Sequence, residues 1–282
     1  MIDLHCHSIF SDGTDTPEAL AGLADAAGLR ALALTDHDTL EGLPRFLGEQ
    51  PRTAAELIPG IELSCRFLGR VLHVLGLFID PGSARFQSRI ADMRERRVDR
   101  NRRMVGRLQE LGVAIAWADV AALAPTDLIS RTHFAKALVR SGAAGSPQDA
   151  FRRFIGDDGP AYVPLEELTP RDAATWIREA GGVSAVAHPG RFTHRNFAWD
   201  RAMADLQGHG IQALEAYYPD YGPQEHRYFL DLAGTLDMVP CGGSDYHGGH
   251  KPGQFLGVGT GSLDVPDRVL DRLKALRPIE HV

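Results

Sequence analysis

The stretches MIDLHCH (residues 1–7) and ALALTDH (residues 31–37) are the two apolar runs that decide the fold. Between them, Thr16-Pro17 supplies a capping residue followed by proline at the first helical position, and Gly28 supplies a stop. A strand, a helix and a second strand in this order form a βα unit, whose strands run parallel. The first 37 residues therefore predict an α/β fold.

The same alternation of apolar runs and helical patterns continues along the chain. Five further strands are predicted, at residues 56–65, 70–78, 182–189, 211–218 and 238–246. Most of these runs are almost continuously apolar, as strands buried on both faces are. A second helix is predicted to begin at Asp38 with Glu41 as its capping partner, and another to begin at Thr169-Pro170. With 282 residues, the chain is long enough for one β/α barrel of roughly 250 residues and a modest insertion.

The stretch from residue 100 to residue 168 breaks this alternation. Its apolar spacing predicts helices and no strand of comparable strength. The predicted helices here span 85–111, 117–123, 132–142 and 147–155. We interpret 100–168 as a helical insertion between the fourth and fifth strands that caps the substrate, and residues 1–99 and 169–282 as the barrel.

Composition and charge exclude several classes of protein. The net charge is −7, which argues against a protein that coats nucleic acids in general and against a DNA partner, because phosphate binding normally shows as a cationic excess. Three cysteines do not make a disulfide framework. The N-terminus lacks the basic and apolar regions of a signal peptide, and no apolar run approaches the ~18 residues of a membrane span. We expect a cytoplasmic enzyme with no membrane partner.

Histidine and acidic residues fall at or near the end of almost every predicted strand. There are nine candidate metal ligands: His5, His7, Asp12, His37, Glu62, His73, His188, Asp245 and His247. In parallel β/α folds, the carboxyl ends of the strands and the loops after them form one face, where ligands bind. Side chains two apart on a strand share a face, so His5 and His7 point together while Cys6 points away. Asp36, beside His37, is either a further ligand or a residue that orients one, and alternation favours the second role. The joint placement predicts a metal site.

The ligand types narrow the choice of cation. Imidazole and carboxylate ligands without thiolates suit Mn²⁺, Fe²⁺ or Zn²⁺. Nine ligands suffice for two or three divalent ions, and Glu62 can bridge two of them through its two oxygens. We expect Mn²⁺. The candidate catalytic residues are Asp12, His37 and Arg191. Arg191 is included because it lies on the same loop as the predicted ligand His188.

Five residues are candidates for holding a substrate phosphate: Arg131, Thr132, His133, Arg191 and Lys251. The first three follow Ser130 at a predicted helix start, where backbone N–H groups favour anions. A plain capped helix explains the same residues. Lys251 follows the predicted ligand His247 by four residues. Of the two candidates on the barrel, Arg191 and Lys251, it is the weaker.

Residues 85–107 contain nine arginines against three acids. Two interpretations stay open. The run is either the solvated face of a long helix or a track for an RNA backbone, which would make binding depend on salt.

Seven strings carry a resemblance to a known family. DLHCHS, SDGT, ALALTDHDT, GIELSC, HVLGLF, AHPGR and GGSDYHG are similar to motifs of the polymerase-and-histidinol-phosphatase (PHP) family. The resemblance implies a distorted seven-stranded β/α barrel that holds three metals. It implies one metal at His5, His7, Glu62 and Asp245, a second at Glu62, His73 and His188, and a third at Asp12, His37 and His247.

Within that family, the string Asp-His-Asp-Thr at residues 36–39 and the insertion resemble one subgroup, the 3′,5′-nucleoside bisphosphate phosphatases and related 5′-to-3′ exoribonucleases. That resemblance implies a phosphoric monoester hydrolase that converts adenosine 3′,5′-bisphosphate to AMP and phosphate. The expected partner is thus a small phosphorylated nucleotide. The alternatives are a histidinol-phosphate phosphatase, an exoribonuclease on short RNA, and a non-catalytic, metal-stabilised binding module.

Overall fold

The structure is a computed structural model that describes residues 1–124, 129–192 and 197–278. Within these residues, seven strands form one sheet and follow each other in chain order. The strands are β1 (Ile2–Cys6), β2 (Ala31–Leu34), β3 (Glu56–Phe67), β4 (Arg70–Leu77), β5 (Val183–Val186), β6 (Ala213–Tyr217) and β7 (Val239–Gly242). Each of the seven predicted strands is present, which confirms the α/β class.

The α-helices of the described residues are α1 (Pro17–Ala26), α2 (Leu43–Leu47), α3 (Ala84–Glu110), α4 (Trp117–Ala121), α5 (Arg131–Arg140), α6 (Pro147–Ala150), α7 (Pro170–Glu179), α8 (Trp199–Gly208), α9 (Pro223–Thr235) and α10 (Arg268–Ala275). Two predicted starts are confirmed. The Thr16 hydroxyl accepts a hydrogen bond from the Ala19 amide, and Thr169 accepts one from Asp172, so both threonines cap their helices. Among the described helices, none combines the length and apolarity that a bilayer crossing requires.

The predicted helix start at Asp38 is wrong. Asp38 has a left-handed backbone with φ of 49°, and α2 begins only at Leu43. The backbone amide of Asp38 donates to the Glu62 carbonyl at 3.0 Å, and the Asp38 carboxylate accepts from the Ser64 amide at 2.9 Å. The chain after β2 therefore stays paired with β3, and Asp38 anchors it there instead of capping a helix.

The sheet is mostly parallel, as predicted, with β4 as the exception. β1, β2 and β3 run parallel to one another, and so do β5, β6 and β7. β4 is antiparallel to both β3 and β5. The tight turn before it contains Leu68 (φ 48°) and Gly69 (φ 76°), the positive angles that two-residue hairpins require. The reversal means that residues early in β4 lie beside the end of β3.

The ends of the sheet approach each other and nearly close a barrel. The segment after β7 pairs with the end of β1 through a parallel bridge between Cys6 and Tyr246. The His7 amide donates to the Tyr246 carbonyl at 2.9 Å. First and last strand therefore meet at the position where His5, His7, Asp245 and His247 lie.

The chain divides into two compact units, residues 1–87 with 167–282, and residues 88–166. The first unit contains the whole sheet. The second unit has a hydrophobic core of its own, which includes Met104, Leu108, Phe134 and Leu138. The cap role predicted for residues 100–168 stays a proposal.

We expect Gly243→Ala to destabilise the barrel closure. A Cβ at Gly243 would lie 2.4 Å from the His5 backbone nitrogen and 2.6 Å from the His5 Cβ, so a strand would have to move. Overpacking of this kind costs about 1–3 kcal/mol or more. The measurement is the free energy of unfolding from denaturant titration followed by circular dichroism.

Gly22→Ala is the matched control for this substitution. Gly22 lies exposed within α1, and a Cβ there meets nothing within 4 Å. Alanine in a helix interior should stabilise by about 0.5–1 kcal/mol. Equal effects of the two substitutions would contradict the tight closure at Gly243.

Candidate metal centre

The structure brings all nine predicted ligands together at one end of the barrel. His5 lies in β1, Glu62 in β3 and His73 in β4, and the other six follow β1, β2, β5 or β7 in the loops. Each of the nine belongs to a group of three or four side chains whose ligand atoms lie within 4.8 Å of one another. The four groups are His7, Asp12, His37 and His247; His5, His7 and Asp245; His5, Glu62 and His188; and His37, Glu62 and His73.

Glu62 lies at the centre of this cluster. Five imidazole nitrogens surround its buried carboxylate at 2.9 to 3.2 Å. Those of His5, His7 and His37 lie beside Oε2, and those of His73 and His188 lie beside Oε1. Because the nitrogens divide between the two oxygens, each oxygen could hold a different cation.

Asp245 and Asp12 complete the cluster on the side of the barrel closure. Asp245 Oδ1 lies 3.3 Å from His7 Nε2 and 3.5 Å from His5 Nε2. Asp12 Oδ1 lies 3.3 Å from His247 Nε2. His247 Nδ1 lies 2.7 Å from the Asp245 carbonyl, which holds the ring hydrogen on Nδ1 and leaves the Nε2 lone pair facing Asp12.

The cluster is closed at its base and open at its rim. The His5 and His7 side chains are fully buried, whereas Asp12 is 46% exposed and His73 is 24% exposed. Solvent and a small ligand can therefore reach the side of Asp12, His37 and His73.

Burial and charge act against each other at these groups. Burial opposes charge on His7, but hydrogen bonds to Asp245 and Glu62 raise its pKa to about 9. Burial dominates at His37 and lowers its pKa to about 4. Burial also opposes charge on Glu62, but the surrounding imidazoles hold the pKa of that carboxyl well below its usual range. The cluster thus keeps ionised carboxylates deep inside the protein, and these need positive charge close by.

The donor set fits divalent transition cations. Three buried ligand atoms have no hydrogen-bond partner: Asp12 Oδ1, His37 Nδ1 and His73 Nδ1. Both imidazole nitrogens approach Glu62 oxygens closely, yet without the geometry of a hydrogen bond. Unpaired buried polar atoms cost free energy unless something else satisfies them. A cation between nitrogen and oxygen would do so, and neutral imidazole with carboxylate is a suitable ligand set.

Two nearby side chains take the orientations predicted from strand alternation. The Cys6 thiol points away from the cluster and donates to the Ala33 carbonyl at 3.2 Å. The Asp36 carboxylate accepts from the Ser8 amide at 2.7 Å and from the Ser8 and Ser11 hydroxyls at 2.6 Å. Asp36 thereby fixes the loop after β1 and belongs to none of the ligand groups.

Sequence reasoning missed Glu215. This residue is fully buried in β6, and its carboxylate contacts the His5 ring at 3.0 Å and the His188 backbone amide at 2.6 Å. A signal existed, because Glu215 is the one acid within the apolar run LEAYY at residues 214–218. Buried carboxylates are rare without partners.

Three donors converge on the outer oxygen of Asp245. Lys251 Nζ lies 2.6 Å from Oδ2, the Tyr218 hydroxyl 2.8 Å, and Arg191 Nη1 3.3 Å. Burial and Asp245 raise the pKa of Tyr218, which keeps the hydroxyl protonated. The Arg191 side chain is 51% exposed. Arg191 and Lys251 thus lie beside the metal cluster, and Tyr218 is a contact that sequence reasoning missed.

The remaining candidate phosphate contacts lie in the second unit. Ser130 precedes α5 as predicted, and its amide donates to His133 Nδ1 at 3.0 Å. The Thr132 and Ser130 hydroxyls lie 2.6 Å apart. The Arg131 guanidinium donates to Asp157 at 2.6 Å and lies over the Tyr162 ring. These contacts explain the local structure, and the phosphate role stays a prediction.

Comparisons with known proteins show what this chain is similar to. A family model described as PHP domain matches residues 3–116. The 3′,5′-nucleoside bisphosphate phosphatase of Chromobacterium violaceum is 33% identical over 262 residues, which cover 91% of this chain and 90% of that protein. The 5′-3′ exoribonuclease Rnm of Salmonella typhimurium is 33% identical over 247 residues, with coverage of 87% and 84%. The crystal structure of a proposed metal-dependent phosphoesterase from Bifidobacterium adolescentis superposes with a TM-score of 0.74 at 30% identity, covering 97% of this chain and 95% of that one.

Proposed function

The chain belongs to the PHP family of metal-dependent phosphoesterases, and on that premise we propose that it removes the 3′-phosphate from 3′,5′-nucleoside bisphosphates. The products from adenosine 3′,5′-bisphosphate would be AMP and phosphate. Family membership makes the chain an enzyme, so the alternative of a non-catalytic binding module is set aside.

The observation that carries this proposal is the cluster of imidazoles around Glu62. We propose that it holds two or three divalent cations, with manganese as the expected ion. His5, His7, Glu62 and Asp245 would hold the first, Glu62, His73 and His188 the second, and Asp12, His37 and His247 the third. Such ions lower the pKa of water and neutralise charge on a phosphoryl group when they are bound.

The side chains at the rim have their own roles in this proposal. Hydrolysis forms a bond from the water oxygen to phosphorus and breaks the bond from phosphorus to the ribose 3′-oxygen, which takes up a proton. The Arg191 guanidinium and the Lys251 ammonium, held at Asp245, would donate to the phosphate oxygens. His37 and Asp12 lie at the open side, where the pKa of His37 near 4 keeps its imidazole neutral at physiological pH.

The choice of substrate draws support from the relative in Chromobacterium violaceum. That relative is named for action on 3′,5′-nucleoside bisphosphates and matches nine-tenths of this chain. Histidinol phosphate is the rival substrate, because the metal ligands alone do not distinguish phosphate monoesters.

A side-by-side assay with Mn²⁺ tests the proposal. We expect release of phosphate from adenosine 3′,5′-bisphosphate with a kcat/KM at least about tenfold above that for histidinol phosphate, a margin of about 1.4 kcal/mol. Phosphate release should disappear after chelation and return with added Mn²⁺. AMP should be the nucleotide product, identified by chromatography. Faster turnover of histidinol phosphate would make the chain a histidinol-phosphate phosphatase instead.

Arg191→Ala should lower kcat/KM for the bisphosphate by about 10- to 150-fold. The reason is loss of a charged hydrogen bond to phosphate, which contributes about 1.5–3 kcal/mol. Arg227→Ala, at an exposed arginine on α9, is the matched control and should leave kcat/KM unchanged. Metal content per chain should stay at the wild-type value in both variants. A loss below threefold would remove Arg191 from the substrate contacts.

A second candidate activity is 5′-3′ cleavage of short RNA. The favouring observation is the arginine-rich helix α3, whose exposed arginines include Arg102 and Arg103. The relative in Salmonella typhimurium is named for this activity. Both activities would use the same metal cluster.

Salt dependence distinguishes an RNA track on α3 from a plain solvated helix. If three arginines neutralise RNA phosphates, log kcat/KM for a short oligonucleotide should fall with log salt at a slope of about −2 relative to the mononucleotide. The measurement compares both substrates from low to moderate NaCl. Parallel slopes would show that α3 does not contact RNA.

A further inference from the structure

Glu215 joins two predicted metal ligands from the side opposite to Glu62. Its Oε1 lies 3.0 Å from His5 Nδ1, and its Oε2 accepts from the His188 backbone amide at 2.6 Å. Glu62 in turn lies 3.1 Å from His5 Nε2 and 3.0 Å from His188 Nε2. The two carboxylates and two histidines therefore form a closed ring of contacts, with Glu62 at the centre of the ligand cluster and Glu215 behind the predicted ligands.

We propose that Glu215 is a positioning residue of the metal centre, which keeps the hydrogen of His5 on Nδ1 and fixes the His188 backbone so that its ring faces Glu62. This inference rests on the metal site of the proposed function. Glu215 is not a metal ligand in it, since none of the ligand groups among the described residues includes it.

The first contact decides which nitrogen of His5 can bind a cation. A neutral imidazole carries one ring hydrogen, and an acceptor beside one nitrogen places the hydrogen there. The Glu215 oxygen at Nδ1 thus leaves the Nε2 lone pair directed at Glu62 and Asp245. Metal-binding histidines commonly donate their second ring N–H to a carboxylate in this way, and the partner raises the basicity of the ligand nitrogen.

The second contact fixes a backbone that other residues avoid. The His188 backbone has φ of 28° and ψ of 58°, in the left-handed region that residues other than glycine rarely adopt. The short hydrogen bond from its amide to a carboxylate stabilises that conformation. The turn places His188 Nε2 at 3.0 Å from Oε1 of Glu62. A substitution at Glu215 would therefore move the His188 ring by changing the backbone that carries it.

Only a group with two acceptor oxygens satisfies both contacts. The His5 ring N–H and the His188 backbone N–H are both donors when His5 binds a cation through Nε2. Glutamine keeps the shape of the side chain but replaces one oxygen by a donor NH₂ group. In Glu215→Gln, one of the two contacts would become donor against donor, or His5 would move its hydrogen to Nε2 and lose the ligand lone pair.

The test is Mn²⁺ binding to Glu215→Gln by isothermal titration calorimetry, after chelator treatment and dialysis of the full chain. We expect the affinity to fall about 10- to 100-fold for the ions that contact His5 and His188. The site at Asp12, His37 and His247 should keep its affinity. Glu56→Gln is the matched control, because Glu56 loses the same charge at the surface, where it pairs with Lys274 at 2.6 Å. Wild-type affinity of Glu215→Gln for every ion would overturn the proposal.

A measurement on the wild-type protein covers the case in which Glu215→Gln fails to fold. Nitrogen NMR of histidine-labelled, Zn²⁺-loaded protein reports which ring nitrogen of His5 carries the hydrogen. A hydrogen on Nδ1 is the expected result, and a hydrogen on Nε2 would overturn the proposal. If the wild-type chain binds no cation at all, the proposed function fails as well. If the wild-type chain binds cations and Glu215→Gln binds them with the same affinity, the proposed function stands and the positioning role of Glu215 is wrong.

Discussion

The contact between the Glu62 carboxylate and the surrounding imidazoles is the constraint on which the rest of the structure depends. One ionised carboxylate lies fully buried among five histidine rings, and burial of such a charge is costly unless positive charge compensates it. The surrounding rings come from distant segments of the chain, because β1, β4 and the loops after β1, β2 and β5 each bring at least one. The His5 and His188 rings lie 5.6 Å apart although their strands, β1 and β5, are not neighbours in the sheet. The candidate metal centre therefore exists only in the folded barrel.

The antiparallel course of β4 serves this assembly. In a purely parallel barrel, ligands come from the carboxyl ends of strands, and a histidine as early in its strand as His73 would lie toward the opposite end. Reversal of β4 places His73 opposite Ser64, two residues beyond Glu62 on β3. The hairpin turn at Leu68 and Gly69 sets the register in which β3 and β4 pair. One tight turn thus allows two consecutive strands to supply both Glu62 and a ring that faces it.

The sequence allowed prediction of those features that repeat or alternate. Seven apolar runs located seven strands, and alternation along β1 distinguished His5 and His7 from Cys6. Features that depend on a single long-range partner were out of reach. Asp38 has the pattern of a helix cap, but its carboxylate pairs with the Ser64 amide on β3. Tyr218 contacts Asp245 through the fold alone and no motif marks its role, whereas Glu215 left one signal, as a single acid within an apolar run.

The division into two units separates the candidate metal centre from most of the segment predicted to cap the substrate. The first unit holds all nine candidate ligands, together with Glu215, Arg191 and Lys251. The second unit has its own core, so its surface residues can change at little cost to the metal centre. Relatives with equal identity to this chain are named for action on a mononucleotide and on RNA. The candidate metal centre would bind the phosphate group that both kinds of substrate carry, so discrimination between them would depend on side chains that contact the rest of the substrate.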